Sequence, residues 1–383
     1  MTTSRDTVLR LLQDDLAGEH AAIIQYLQHV WRMGSAGGDI PCEVQEIARD
    51  EMRHFRWVAE LVVDLGTDPT IERDVVYVNG SPAVDLMLLD VDAEDRAIRQ
   101  YTLHVSEIDD QRITRVIERI LVDERVHREM FRGFVGELGG DPDAPTPRPD
   151  LGPFSGQREA SPSAQRQATE EPDATGPFAE DRPPRDEIVY VKPAEGTGEL
   201  NLPPGHDQLI AALNSDVGRE YTTVLQYLFQ SFVHKSNRLG KELQLDMAQW
   251  HMKHWGWMAE RISELGAEVA IHHDQIDRTR DAVPILRADI ARQRDLARHY
   301  GEERDATDDE EAQTILGRIQ AHDEYQAGQL EELLRAAEAG EFEAPERTSA
   351  ATSAEGDDAA GGDSPSGPPG FTVGSLFGRS QDE

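Results

Sequence analysis

Cysteine is almost absent from this chain of 383 residues, because Cys42 is the only one. A single cysteine excludes intrachain disulfides, a Cys-x-x-Cys metal knuckle and an iron–sulfur cluster held by cysteines of the chain. We expect Cys42 to pack as a small, buried apolar side chain.

Positive charge is also scarce, and the few lysines are Lys192, Lys235, Lys241 and Lys253. The formal net charge is −36, which makes nucleic acid and anionic membrane surfaces poor partners. Such a charge attracts cations, for example Fe²⁺. The same composition is typical of a protein from a salt-adapted or GC-rich host, and composition alone favours that second explanation.

Long apolar runs are missing as well. No stretch of eighteen apolar residues occurs, and the residues up to Asp6 lead into an amphipathic helical pattern without an apolar signal region. We therefore expect a soluble, cytoplasmic protein. The chain is too long for one small core, which predicts two or more domains.

Helical periodicity dominates the first part of the chain. Apolar residues recur at the 3.6-residue period over residues 7–32, 43–65, 93–109 and 111–138. A long connection over residues 66–91 separates the second helix from the third, and its Val75–Val78 stretch reads as a short extended piece. Two helices, a long crossover and two more helices predict a ferritin-like four-helix bundle.

The motif Glu-x-x-His occurs twice, once in the second predicted helix and once in the fourth. Helix positions three apart lie on one face, so the two side chains can bind one metal ion from the same side. One such pair is more typical of a solvated surface. Ferritin-like bundles, however, build a two-metal site from two of these motifs plus one Glu on each remaining helix. The six candidate ligands are Glu19, Glu51, His54, Glu94, Glu124 and His127.

Residues 4–140 resemble bacterioferritin, a member of the ferritin-like superfamily. The resemblance is carried by Glu19-x5-Gln25-Tyr26, Asp50-Glu51-Met52-Arg53-His54, Glu94 with Tyr101, and Asp123-Glu124-Arg125-Val126-His127. It implies two iron ions bridged by Glu51 and Glu124, with outer ligand pairs Glu19–His54 and Glu94–His127. It also implies that Tyr26 and Tyr101 donate hydrogen bonds to ligand carboxylates, the alternative being plain core packing.

A second domain is predicted for residues 188–340, after a Pro-, Ser- and acid-rich stretch, 141–187, that reads as a disordered linker. Glu220-x5-Gln226-Tyr227 repeats the first-helix pattern, and His254-Trp255-Gly256-Trp257 repeats His54-Phe55-Arg56-Trp57. We therefore predict a second, degenerate ferritin-like bundle, derived by duplication. The piece Ile188–Val191 echoes Val75–Val78, and either could pair with the other or lie against a bundle.

The metal site of this second bundle is incomplete. His251 stands in place of the bridging Glu, Gln293 in place of the third-helix Glu, and Ala327 in place of the fourth-helix His. Four candidate ligands for a single ion remain, namely Glu220, His251, His254 and Glu324. The alternative is a purely structural bundle with hydrogen-bonded histidines.

Met52 and Met252 occupy matching positions in the two repeats. In bacterioferritin a methionine at this position ligates a haem across a two-fold interface. The resemblance therefore implies a site for haem b between Met52 and Met252, with ordinary packing as the alternative. It also implies a homo-oligomer or a pseudo-symmetric pairing of the two domains.

The C-terminal part divides into a flexible spacer, residues 341–370, and an apolar peptide, residues 371–383. The peptide resembles the cargo-loading peptide of encapsulin nanocompartments, with Phe371 where leucine is usual. The resemblance implies docking to an encapsulin shell protein and location inside the nanocompartment. The docking residues would be Phe371, Thr372, Val373, Gly374, Ser375 and Leu376.

Together these patterns predict an all-α protein with two ferritin-like bundles, packaged in an encapsulin. Its expected activity is that of a ferroxidase, which oxidises Fe²⁺ with O₂ or peroxide for iron mineralisation, iron storage and protection against oxidative stress. One alternative is a peroxide-scavenging cargo enzyme of the rubrerythrin or manganese-catalase kind. The cysteines of a rubredoxin centre are missing, whereas manganese stays open. A second alternative is a non-catalytic adaptor that binds iron or haem.

Overall fold

The computed structural model describes residues 3–78, 82–147, 188–189, 206–235 and 237–342, and nearly all of its elements are helices. The predicted all-α class is confirmed. The chain divides into two compact units, the first containing most residues up to 147 and the second those from 206 onward. The helices of the first unit are α1 (Arg5–Met33), α2 (Ile40–Asp64), α3 (Ala83–Glu107) and α4 (Gln111–Glu137), with a 3₁₀ turn at Gly34–Gly37.

The second unit repeats this order of helices. It contains α5 (Asp207–Val233), α6 (Arg238–Glu242), a π-helical segment (Leu243–Ala248), α7 (Gln249–Glu264), α8 (Ala282–Ala306) and α9 (Glu310–Glu338). The π-helical segment joins α6 to α7 without a break and ends shortly before His251. Single π turns inside α-helices are frequent at functional sites.

Polar caps and glycines define the helix ends. The Ser4 hydroxyl accepts a hydrogen bond from the Thr7 N–H at 3.1 Å, and the Asp110 carboxylate accepts from the Arg112 N–H at 2.8 Å, so α1 and α4 begin with satisfied N–H groups. Gly66 and Gly266 follow α2 and α7 with φ of 76° and 75°. Only glycine adopts this left-handed conformation without strain, which stops both helices.

The third helix is longer than predicted. We expected it to begin near residue 93, but α3 begins at Ala83, directly after Pro82. Proline is tolerated at such a start because the N–H groups there have no intrahelical partner. Residues 86–89 are buried throughout, so they lack the alternation of polar and apolar faces that identifies an amphipathic helix in a sequence.

A set of hydrogen-bonded buried side chains, here called the buried polar group, attaches the long connection of the first unit to α1 and α3. The Gln25 side chain accepts from the Tyr77 N–H at 3.0 Å and donates to the Asp90 carboxylate at 2.9 Å, and His29 lies 2.9 Å from both Asp90 and the Tyr77 carbonyl. Strand β1 (Val76–Tyr77) is thereby fixed against α1 and α3.

Strand β2 (Ile188–Val189) pairs in parallel with β1, in the register Val76 with Ile188 and Tyr77 with Val189. We predicted that the second domain begins at residue 188. The pairing instead joins Ile188–Val189 to the first unit, because the β1 edge is the partner that satisfies their backbone groups.

Two further expectations concern exposure. Cys42 is exposed on the first turn of α2, so the prediction of a buried thiol was wrong. The inward positions of that turn are taken by Ile40 and Val44, both buried. Among the residues that the structure describes, no helix combines the length and apolar character needed to cross a bilayer.

The second unit keeps the glutamine but not the histidine of the buried polar group. Gln226 exchanges hydrogen bonds with the backbone of Asp277. Among the described residues, Asp289 accepts a single, long hydrogen bond of 3.4 Å from Gln230. Burial raises the pKa of Asp289 to about 7, with Arg292 and Gln230 opposing the shift and Asp277 adding to it. A buried carboxyl without a close cation is more stable when protonated.

We predict that Asp289→Asn stabilises the second unit at high pH. The folded-state pKa lies above the unfolded value, so the wild-type contribution is complete at acidic pH and is lost as pH rises towards 7 and beyond. The variant should differ least from wild type at about pH 4 or below, because the ordinary pKa of the carboxyl is 3.8, and it should exceed wild type at pH 8 by roughly 2–4 kcal/mol. Thermal unfolding of the full chain across this pH range measures the difference. Asp295→Asn, on the exposed side of α8, should change nothing, and equal stabilities at pH 8 would contradict the prediction.

Candidate metal centre

All four helices of the first unit contribute to one buried polar cluster. Glu19 comes from α1, Glu94 from α3, and α2 and α4 each supply a Glu-x-x-His pair. None of the six residues is more than 4% exposed. Charged side chains are buried to this extent only when they are paired or bind an ion.

The ligand atoms fall into two overlapping groups whose members lie within 4.8 Å of one another. One group is Glu19, Glu51, His54 and Glu124, and the other is Glu51, Glu94, Glu124 and His127. Glu51 and Glu124 belong to both groups. The cluster therefore has two adjacent places for cations, with two carboxylates shared between them.

The shared carboxylates lie between the two imidazoles. The two oxygens of Glu51 are 2.9 Å from Nδ1 of His54 and 2.9 Å from Nδ1 of His127. The oxygens of Glu124 are 3.1 Å and 3.7 Å from the same two nitrogens. Glu19 and Glu94 lie at the ends, 3.7 Å from His54 and 4.0 Å from His127 respectively. This is the order that a pair of bridged metal ions requires.

In each imidazole, the ring nitrogen that points away from the cluster contacts an aspartate next to the other motif. Nε2 of His54 lies 3.4 Å from Asp123, and Nε2 of His127 lies 3.4 Å from Asp50. An acceptor at Nε2 keeps the proton there and leaves the Nδ1 lone pair facing the site. We did not assign a role to these aspartates from the sequence. The available signal was that an aspartate directly precedes the glutamate in both motifs.

Two tyrosines orient the terminal carboxylates. The Tyr26 hydroxyl donates to Glu94 at 2.5 Å, and the Tyr101 hydroxyl donates to Glu19. Both hydroxyls are buried with their acceptors. Each tyrosine occupies one oxygen of its glutamate and leaves the other oxygen, Oε2, without a hydrogen-bond partner among the described residues.

The pKa shifts in the cluster show that it favours bound positive charge. Burial and the nearby Glu124 raise the pKa of Glu19 well above its usual value, and burial with Glu124 and Glu51 raises the pKa of Glu94. Burial alone would lower the pKa of His54, but bonds to Asp123, Glu124, Glu19 and Glu51 raise it. Protons thus take the place of other cations when no metal is bound.

The donor set fits two divalent cations. Oxygens of Glu19, Glu51, Glu94 and Glu124 are buried without a hydrogen-bond donor within the described part of the chain, which is costly for a polar atom unless a cation is its partner. Four carboxylates supply the charge that balances two M²⁺ ions. Carboxylates and imidazoles are the ligands of iron, manganese and zinc sites in proteins.

Comparison with known proteins agrees with this geometry. Residues 9–140 match the family described as the ferritin-like domain. The bacterioferritin of Desulfovibrio desulfuricans is 30% identical over 131 residues, which cover 33% of this chain and 73% of that protein. The chain belongs to the ferritin-like family. The match lies within the first unit, which we therefore refer to as the ferritin-like domain.

Solved structures give similar matches. An X-ray structure of the Desulfovibrio desulfuricans bacterioferritin, described with its diiron site in different catalytic states, is 27% identical with a TM-score of 0.34 and covers 35% of this chain and 81% of that chain. Mycobacterium tuberculosis bacterioferritin, BfrA, is 22% identical with a TM-score of 0.33 and covers 36% of this chain and 89% of that chain.

The second unit also brings three of its four predicted ligands together. Glu220, His251 and His254 lie within 4.8 Å of one another, and all are fully buried. A hydroxyl from Tyr300 donates to Glu220, as Tyr101 does to Glu19 in the ferritin-like domain. The two units thus share the position of a carboxylate, a histidine and a supporting tyrosine.

Glu324 is the exception, and its prediction as a ligand was wrong. Its side chain is exposed and accepts from Gln320 on the surface of α9, whereas the preceding residue, Asp323, is fully buried. Asp323 and Gln326 are the inward positions three apart, so Gln326 rather than Ala327 stands where His127 stands in the ferritin-like domain. Two adjacent acids made the register of this helix ambiguous in the sequence.

The predicted haem site and the predicted shell-docking peptide stay predictions. Met52 and Met252 are both partly exposed on their helices, and the haem site stays a prediction. The predicted shell-docking peptide, Phe371–Leu376, lies outside the described residues.

We predict that Glu94→Gln stabilises the metal-free protein and removes part of its response to metal. The amide keeps an acceptor for Tyr26 but removes a charge whose burial is unfavourable beside Glu124 and Glu51. In EDTA the variant should unfold at an equal or higher temperature than wild type, a gain of about 1–2 kcal/mol. Added Mn²⁺ should raise the unfolding temperature of the variant less than that of wild type.

The matched control is Glu107→Gln, an exposed carboxylate at the end of α3. It should behave as wild type in both conditions. A Glu94→Gln protein that is destabilised in EDTA, yet keeps the full response to Mn²⁺, would show that Glu94 has a packing role instead.

Proposed function

We propose that the ferritin-like domain is a ferroxidase that binds two Fe²⁺ ions and oxidises them with O₂ or H₂O₂. The observation that carries the proposal is the position of Glu51 and Glu124, each with its two oxygens directed at different histidines. Glu19 with His54 and Glu94 with His127 would complete the two ion positions. Only a two-ion site uses both shared carboxylates.

The donor set suits this reaction. Carboxylate oxygens are hard ligands whose charge stabilises Fe³⁺ relative to Fe²⁺, and imidazoles accept both states. Oxidation of two Fe²⁺ to two Fe³⁺ transfers two electrons to O₂, which takes up two protons and becomes H₂O₂. The aspartates behind His54 and His127 hold both rings in the ligand orientation throughout.

The relatives support the proposal at the level of the family. The Desulfovibrio desulfuricans bacterioferritin, whose structure is described with a diiron site, is 30% identical to this chain over 131 residues. All six candidate ligands lie within residues 9–140, which match the ferritin-like domain family. We infer the same type of site here. The second unit and the appended tail would hinder the assembly of a closed ferritin shell from this chain. The ferric product would therefore be stored in a separate container.

We further propose that this container is an encapsulin shell. The support is the sequence Phe371-Thr372-Val373-Gly374-Ser375-Leu376 at the end of a spacer rich in small residues. Apolar side chains at alternate positions suit pockets on an inner shell wall, and many shell subunits make weak single contacts sufficient. A partner shell protein and an encapsulated location follow from this proposal.

Replacing Glu51 tests the ferroxidase. Loss of the outer hydrogen-bond partner of a ligand already costs about 10–100-fold in metal affinity or activity, so Glu51→Ala should slow Fe²⁺ oxidation by about 100-fold or more. Ferric absorbance and O₂ uptake after addition of Fe²⁺ measure the rate. Glu43→Ala, an exposed carboxylate on the same helix, should leave it unchanged.

The same assay separates the alternatives. An unchanged oxidation rate in Glu51→Ala would support an iron- or haem-binding adaptor without catalysis. Evolution of O₂ from H₂O₂ by the Mn²⁺-loaded wild type, without any oxidation of Fe²⁺, would instead support a manganese-dependent peroxide-scavenging enzyme.

Packaging is tested by co-expression with an encapsulin shell protein. The full chain should co-purify with assembled shells, whereas a chain without residues 371–383 should not. Leu376→Asp should reduce loading because it places a charge in an apolar contact, and Gln381→Asp should not. Equal loading of the deleted and complete chains would rule out the peptide as the docking element.

A further inference from the structure

The second unit contains a cluster of metal-ligand side chains that the proposed ferroxidase reaction does not use. Glu220 from α5 and His251 and His254 from α7 converge, with Nδ1 of His251 at 2.5 Å and Nδ1 of His254 at 3.5 Å from the same oxygen, Oε2 of Glu220. All three residues are 0% exposed. Three ligand atoms therefore face one point inside the bundle.

The far side of the His251 ring is bound by polar partners. The amide nitrogen of Gln293 lies 2.6 Å from Nε2 of His251 and 2.8 Å from the Tyr227 hydroxyl, and its oxygen is without a partner among the described residues. A 180° turn of the amide puts the oxygen where it accepts from both the ring N–H and the hydroxyl. With a proton of His251 on Nε2, Nδ1 shares with Glu220 the proton of their 2.5 Å hydrogen bond, which is the proton that a metal ion would replace.

The His254 ring is arranged in the same way. Its Nε2 lies 3.1 Å from Nδ1 of His322, so that an N–H at Nε2 of His254 has an acceptor on the outer side of the ring. In the ferritin-like domain Asp123 takes the equivalent position behind His54. The Nδ1 lone pair of His254 is left facing the interior, as metal-binding imidazoles require.

Asp323 lies beside this group and is the candidate for a fourth ligand. It is 0% exposed, lies 3.6 Å from Nδ1 of His254, and neither of its oxygens has a hydrogen-bond donor within the described residues. One proton between His251 and Glu220 would satisfy that pair alone. It would leave Nδ1 of His254 and both oxygens of Asp323 without donors, which is costly for buried polar atoms.

We propose that the second unit binds one divalent first-row transition-metal ion through Glu220, His251, His254 and Asp323. The ion satisfies all four groups at once, and two carboxylates balance its charge. Gln293 and His322 act as positioning residues that fix the ring tautomers. The proposal concerns the second unit only and does not depend on the ferroxidase reaction.

The ligand set of this site differs from that of the ferritin-like domain. The ferritin-like domain offers four buried carboxylates for two ions, two of them shared. The second unit offers two carboxylates for one ion, because His251 and Gln293 replace two glutamates of the other site.

The test uses the full chain with Glu51→Ala, because Glu51 belongs to both ligand groups of the ferritin-like domain. Anaerobic calorimetric titration with Co²⁺ should show one equivalent bound, with visible absorption typical of nitrogen and oxygen ligands. Adding Asp323→Asn should weaken binding by about tenfold or more. Adding Glu324→Gln, the neighbouring exposed carboxylate, should not.

The apo proteins provide a readout that separates a ligand from a structural role. Because no described residue donates a hydrogen bond to Asp323, Asp323→Asn should leave the unfolding temperature in EDTA unchanged or higher, and should lose the rise produced by Co²⁺. Unchanged Co²⁺ affinity and absorption in Asp323→Asn would overturn the proposal, including the case in which Co²⁺ binds at Asp216, His299 and Glu303 instead. Because the readout is the dependence of Co²⁺ binding on Asp323, the result does not depend on whether the ferritin-like domain is a ferroxidase.

Discussion

Mutual repulsion of buried carboxylates is the constraint on which the ferritin-like domain depends. Four glutamates from four helices meet in the buried interior of the bundle, and their charges are tolerable only with positive charge between them. Two imidazoles supply part of it when they are protonated. The cluster therefore costs stability in the metal-free state and favours whatever cation restores the balance, a trade of stability for function that is common at active sites.

The second unit shows the same scaffold with a different interior charge. Its helix order, its buried glutamine at the connection and its tyrosine on the first-helix glutamate repeat those of the ferritin-like domain. Exchange of one glutamate for histidine and another for glutamine removes two negative charges without removing buried polar bulk. Fold and function thus separate, because the bundle determines where side chains meet and their charges determine what they hold.

Much of this was predictable from spacing within single helices. The two Glu-x-x-His motifs and the helical period were enough to select six side chains that the structure brings together. The aspartates Asp50 and Asp123 were missed because each acts on a histidine of another helix, a relation that spacing along one helix does not contain. Glu324 was chosen over Asp323 because adjacent acids both fit the pattern, and only packing decides which one faces inward.

Each Glu-x-x-His motif is preceded by an aspartate that contacts the histidine of the other motif, and this arrangement affects how the two ion positions would be filled. Asp50 and His54 belong to α2 but serve different ion positions, and the same holds for Asp123 and His127 on α4. A metal ion bound at either position would therefore constrain both helices. A second ion would then meet ligands that are already aligned, so that binding of the two ions would be cooperative.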